Sequence, residues 1–166
     1  MPEPIPALTL WQPWASLIAI GVKPFETRSW ATRYRGPLAI HAGTERRGLR
    51  DAREVPAIFD ALAAARLTPA ALPLGCIVAV VDLTACWPTE AIVADGLDDP
   101  FGDYGPGRFG WHLARVRPLP EPIHCSGRQR LWRPPAAVQT RLRALLASPP
   151  TAFGAGARTQ DPGRAR

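Results

Sequence analysis

The run Gly75-Cys76-Ile77-Val78-Ala79-Val80-Val81-Asp82-Leu83 carries a single charge and is rich in β-branched residues. It reads as a strand covered on both faces, with Asp82 near its end where strands commonly carry function. Leu8–Trp11, Phe25–Trp30, Leu38–Ala42, Arg108–Val116 and Leu131–Arg133 read as further short strands, the fourth with Phe109, Trp111 and Leu113 on one face. Pro13 suits the first turn of a helix in which Trp14, Leu17, Ile18 and Gly21 share a face, with Gly21 as its stop. Thr44 to Arg66 predicts a second helix broken near Val55 by Pro56, and Pro88–Val93 a short third. Asp95–Gly107 is a Gly-, Asp- and Pro-rich loop, and Pro134-Pro135 open a last helix with Val138, Leu142 and Leu145 on one face. Strands and helices do not alternate regularly, which predicts an α+β domain with a mostly antiparallel sheet or small barrel.

The chain has 166 residues, 46% of them hydrophobic, which is enough for one self-sufficient core. The expected organisation is one domain over residues 1–147 and a disordered tail over residues 148–166, where Ala, Gly, Pro, Arg and Thr dominate. No stretch is long and apolar enough for a membrane span, and the N-terminus lacks the positive region of a signal peptide. Cys76, Cys86 and Cys125 are an odd set without C-x-x-C spacing. They predict free thiols in a reducing, cytoplasmic compartment and no zinc site.

The net charge of +6 favours a polyanionic partner. Of the twenty basic residues, all but Lys23 are arginine, and with twenty prolines this suggests a GC-rich genome. Part of the arginine excess is then codon bias. The retained Lys23 hints that a compact ammonium is needed at that position.

Lys23 stands at a helix-to-strand junction, followed by Pro24-Phe25-Glu26-Thr27-Arg28. Strand alternation puts Glu26 and Arg28 on one face, close to Lys23. Charges this close either present a donor fork to a ligand or form a plain surface ion-pair network. Arg33-Tyr34-Arg35 precedes a strand ending in His41: arginine suits phosphate and tyrosine suits base stacking, against the alternative of a solvated turn and a structural histidine. Trp11, Trp14, Trp30, Trp111 and Trp132 divide between core and stacking roles, while Arg128, Arg130 and Arg133 extend a basic rim. No P-loop, dinucleotide, metalloprotease, nucleophile-elbow or zinc-deaminase signature is present, so no cofactor is expected.

Leu8-Thr9-Leu10-Trp11-Gln12-Pro13-Trp14-Ala15-Ser16-Leu17, then Gly21-x-Lys23-x-x-Glu26-x-Arg28-Ser29-Trp30 and Tyr34-Arg35-Gly36-Pro37-Leu38, resemble the ASCH domain, the homology domain of activating signal cointegrator 1. Gly75–Leu83, Phe109-Gly110-Trp111 and Gly127–Trp132 extend the resemblance to residues 7–135. The resemblance implies a PUA-like barrel and action on RNA or DNA, in a regulatory role in transcription or RNA metabolism. By position, Lys23, Glu26 and Arg28 are its motif residues, with Gln12, Trp14 and Ser16 bordering the cleft.

Three functions follow as expectations. In the first, Lys23, Arg28, Arg35 and His41 help line a nucleic-acid cleft, Glu26 orients the cations or accepts from a base amine, and Tyr34 or Trp11 stacks. In the second, the domain is an amidohydrolase on an acylated cytidine, with Lys23 as nucleophile or base and Glu26 and Asp82 handling protons; an RNA-cleaving variant ranks lower. Relatives of that kind carry Lys-x-x-Thr-x-Arg, and here Glu26 stands in the threonine's place. A carboxylate there favours the charged ammonium, which is a poor nucleophile. In the third, the domain binds protein and no nucleic acid.

Overall fold

A computed structural model describes residues 3–148, so the expected tail beyond Ser148 lies outside the described residues. The expected α+β class holds. Strands β1 (Ala7–Leu10), β2 (Phe25–Arg28), β3 (Gly36–Ala42), β4 (Cys76–Pro88), β5 (Phe109–His124) and β6 (Leu131–Trp132) form one sheet in the order β2-β5-β4-β3-β1-β6. Every pairing is antiparallel except β1 with β3. The sheet curls into a half-barrel with helices α1 (Trp14–Ala19), α2 (Arg47–Asp51), α3 (Pro56–Ala64), α4 (Thr89–Ala94) and α5 (Ala136–Ala147) around it. No helix among the described residues is long and apolar enough to cross a membrane.

The charge-poor run lies in β4, at the centre of the sheet, with every residue from Cys76 to Leu83 buried. Its alternation serves two layers. Val81 and Leu83 join Leu8, Leu38, Ile40 and Trp111 inside the curl. Ile77 and Val80 meet Val138 and Leu142 of α5 outside it. Leu17 of α1 turns to a third cluster with Ile58 and Leu62 of α3. Removing this much apolar surface from water is the main force holding the layers together.

Helix α1 stops where Gly21 takes φ +82°, a left-handed residue that lets Val22 N–H return to the Leu17 carbonyl at 3.1 Å. The expected break before Pro56 divides the second helical region into α2, a short 3-10 turn at Ala52–Glu54, and α3. Strand β5 runs eight residues past the expected end at Val116, through Pro118, Pro120 and Pro122. Those prolines are tolerated because pairing with β4 is interrupted there, between Ala79↔Pro118 and Ile77↔Ile123.

Gly48 of α2 packs against the segment that carries the first two tryptophans. A Cβ at this position would lie 2.8 Å from Trp11 Cβ and from Trp14 Cζ3, and would also meet the Gln12 carbonyl. Gly48→Ala should therefore lower unfolding free energy by about 1–3 kcal/mol through overpacking. Urea denaturation checks this, with the midpoint falling at unchanged slope.

Candidate nucleic-acid interface

Strands β2 and β6 lie at opposite ends of the sheet order, yet residues on or beside both line one cleft of about 680 Å³. Glu26, Arg28 and Trp30 come from β2 and the turn after it, and Thr9, Trp11 and Trp14 from β1 and the start of α1. His41 comes from β3, and Ser126–Arg130 from the segment before β6. The curl of the sheet brings these residues together.

Glu26 lies in the wall of this cleft, with only 6% of its surface exposed. Lys23 Nζ stands 3.8 Å from its Oε2, and Arg28 Nη1 stands 3.4 Å from its Oε1. Burial pushes the Glu26 carboxyl above the ordinary value of 4.5, opposed by the charges of Lys23, Arg28 and Arg108. Lys23 is 2% exposed and is not part of the cleft lining; its Nζ donates to the Phe25 carbonyl at 2.6 Å. The expected alternation along β2 is present: Phe25 packs on Trp87 and His112, and Thr27 Oγ1 accepts from Asp103 N–H at 3.0 Å, away from Glu26 and Arg28.

Two of the tryptophans at the cleft carry a guanidinium. Arg130 lies over Trp30 at 5.2 Å and Arg47 over Trp11 at 5.7 Å, in cation–π geometry. Trp11 is 43% exposed, so much of its surface is open to a ligand. Trp14 is oriented by its indole N–H, which donates to the Phe101 carbonyl at 2.8 Å and ties the Asp95–Gly107 loop to α1.

Other expected site residues lie elsewhere. Gln12 is fully buried, donating to the Pro73 carbonyl at 2.8 Å and accepting from Ser16 N–H at 3.1 Å. Gln12 and the buried Ser16 therefore brace the start of α1 and do not line the cleft. Tyr34 and Arg35 do not line it either. The Tyr34 hydroxyl donates to the Pro37 carbonyl at 2.5 Å, and burial followed by the Asp82 charge raises its pKa. Asp82 pairs with Arg115 and Arg117, outside the cleft.

His41 is in the lining. Its Nε2 meets the Cys125 carbonyl at 2.9 Å, which fixes that nitrogen as the N–H, and burial holds its pKa below 6.5. Its buried Nδ1 has no hydrogen-bond partner among the described residues. Gly127 covers this nitrogen so closely that a Cβ there would come within 2.7 Å. No local pattern in the sequence points to Thr9, Cys125 or Gly127 as site residues, because strand pairing and the β6 approach bring them in from distant positions, or to Arg47 of α2, which reaches the Trp11 ring. No group of three or more His, Cys, Asp or Glu among the described residues is placed to hold a metal ion.

Residues 8–99 match the family model of the ASCH domain. The chain belongs to this family. Activating signal cointegrator 1 is 39% identical over 80 residues in Mus musculus and 38% in Homo sapiens. Each match covers 48% of this chain and 14% of the relative, so the chain spans a small part of those proteins' length. Among solved structures, ASCH from Zymomonas mobilis superposes with a TM-score of 0.55 at 15% identity, over 84% of this chain and 94% of that one. A mutant of the same Zymomonas mobilis protein gives 0.52 at 14% identity, over 86% and 99%. These likenesses show the fold. The ASCH model stops before β5, so Trp111 and the Ser126–Arg130 segment lie beyond the matched residues.

The elevated Glu26 carboxyl has a consequence for stability. The folded protein holds that proton more tightly than the unfolded chain, so the contribution is complete below pH 4.5 and is lost as pH rises through the folded value. Glu26→Gln is neutral throughout. The unfolding free energy of wild type minus that of the variant should therefore fall with rising pH above 4.5 and then level off. A pH-independent difference in denaturant titrations would show that the carboxyl titrates normally.

Proposed function

We propose that the cleft binds nucleic acid, holding an unpaired base against Trp11, Trp14 or Trp30 and its phosphates on Arg28, Arg128 and Arg130. The observation that carries this reading is the joining of three tryptophans, these arginines and a buried carboxylate in one space. The volume of about 680 Å³ falls in the range that takes a small organic ligand of nucleotide size. Aromatic faces and guanidinium planes stack on bases irrespective of sequence, and arginines neutralise phosphate. Glu26 supplies an acceptor for a base amine, while Lys23 and Arg28 hold its geometry. Stacking on an aromatic face requires a splayed base, which favours single-stranded RNA or DNA over an intact duplex. The curated relatives are named as signal cointegrators, which supports a regulatory role in transcription or RNA metabolism.

Deacylation of a modified cytidine is a second reading, supported by one observation. A buried carboxyl with an elevated pKa in the cleft wall has the character of a general acid or base. The position of Lys23 behind Glu26, with Nζ on the Phe25 carbonyl, favours binding over nucleophilic attack. Acetate release from acetylated cytidine, abolished in Glu26→Gln, would move the balance to hydrolysis.

Fluorescence anisotropy with labelled single-stranded RNA and double-stranded DNA tests the binding reading. Trp11→Ala should weaken single-strand binding by about 1–3 kcal/mol. Arg128→Gln and Arg130→Gln should also lower the salt dependence, while Arg141→Gln on the exposed side of α5 should change neither. Equal binding by all four variants and wild type would contradict the proposal.

A further inference from the structure

Outside the cleft, β5 breaks register with β4. Val80 pairs with Arg117 and Asp82 with Ala114, so Arg115 and Val116 stand opposite Val81 alone. This is a β-bulge, and Arg115 takes φ +46° within it. A left-handed backbone is unfavourable for any residue with a Cβ, and glycine usually fills such a position. Codon bias explains arginine in place of lysine, but it does not explain a side chain in place of glycine.

The bulge brings Arg115 Nε onto Asp82 Oδ2, and Arg117 Nη1 approaches Oδ1 at 3.5 Å. The carboxylate side chain is 9% exposed, whereas that of Arg115 is 72% exposed. Asp82 therefore orients Arg115 through its Nε while most of the arginine side chain stays exposed. Across the sheet, Pro37 pairs with Asp82, and the Tyr34 hydroxyl is tied to the Pro37 carbonyl. This brings the turn that carries exposed Arg33 and Arg35 to the same edge of the cluster. Arg35 is pinned by its Nη1 to the Thr32 and Tyr34 carbonyls at 3.0 and 2.7 Å. Two arginines, Arg115 and Arg117, are held on one buried carboxylate, beside a turn that carries two more.

We propose that Arg115 and Arg117, oriented by Asp82, form a second phosphate-binding site that grips the backbone of a strand longer than the cleft holds. A guanidinium whose Nε is occupied by a carboxylate still presents its two outer nitrogens as a fork to phosphate oxygens. A conformation unfavourable for folding that turns such a fork outward is the kind of strain found at ligand clamps. The proposal rests on the nucleic-acid reading of the cleft and adds a separate grip on the same strand.

The test is anisotropy with labelled single strands of increasing length over a salt series, comparing wild type with Arg115→Gly. Glycine relieves the backbone strain, so the variant should fold. Arg115→Asn, which also tolerates left-handed backbone, provides a second version. The shortest strands, which occupy the cleft alone, should bind wild type and both variants equally. Longer strands should bind the variants several-fold more weakly, and the slope of log K against log salt should shrink by about 0.7 for each phosphate that is no longer neutralised. Identical affinity and slope at every length, with binding still weakened in Trp11→Ala, would overturn the second site alone. No binding by wild type at any length would overturn both the cleft reading and this one.

Discussion

A carboxylate taken out of water is strongly unfavourable unless cations and donors replace its hydration. Lys23 on one oxygen of Glu26 and Arg28 on the other offset part of that cost, in a wall formed by an edge strand, while burial still raises the carboxyl's pKa. Much of the cleft follows from satisfying this group. The turn at Gly21 places Lys23 beside Glu26, and the pairing Glu26↔Trp111 fixes β2 on β5. The Trp111 indole N–H in turn donates to the Trp30 carbonyl at 3.2 Å, and the two rings meet edge to face with centroids 4.6 Å apart. Trp30 is thereby held where Arg130 can cover it. Hydrogen bonds, ring packing and a buried ion pair thus act on the same few residues.

The central strand, the glycine stop of α1, the break at Pro56 and the alternation along β2 were legible because each depends on local sequence. The cleft was only partly legible. Lys23, Glu26 and Arg28 are neighbours in sequence and remain neighbours in space. Gln12 and Ser16 belong to the same motif, yet their hydrogen bonds turn inward to brace α1. Tyr34 lies near Asp82 and Arg35 folds back on its own turn, because β3 pairs with β4 in a register that no local pattern reveals. The residues missed, Thr9, Cys125 and Gly127, reach the cleft only through long-range pairing and loop return, and Arg47 reaches the Trp11 ring through the packing of α2. The expected strand ended at Val116, and only the interruption of pairing makes room for the prolines in the extension of β5.

Arginine abundance in this chain is a poor guide when taken as a count. Position separates the functional candidates from the background. Arg130 and Arg47 lie on tryptophan faces, and Arg115 combines a left-handed backbone with an ion pair to the buried Asp82. Arg141 has neither feature. The cleft and the arginine cluster at Asp82 share no lining residue, so their effects on binding should be additive.

In the proposed mode of binding, ligand enters between the tryptophans of the cleft. The indole N–H resonances of the six tryptophans, followed by NMR during titration with single-stranded RNA, test it directly. Ligand in the cleft should shift Trp11, Trp14 and Trp30 strongly, with Trp87, packed on Phe25 and His112 away from the cleft, left unchanged. Shifts confined to Trp87, or none at saturating RNA, would contradict it.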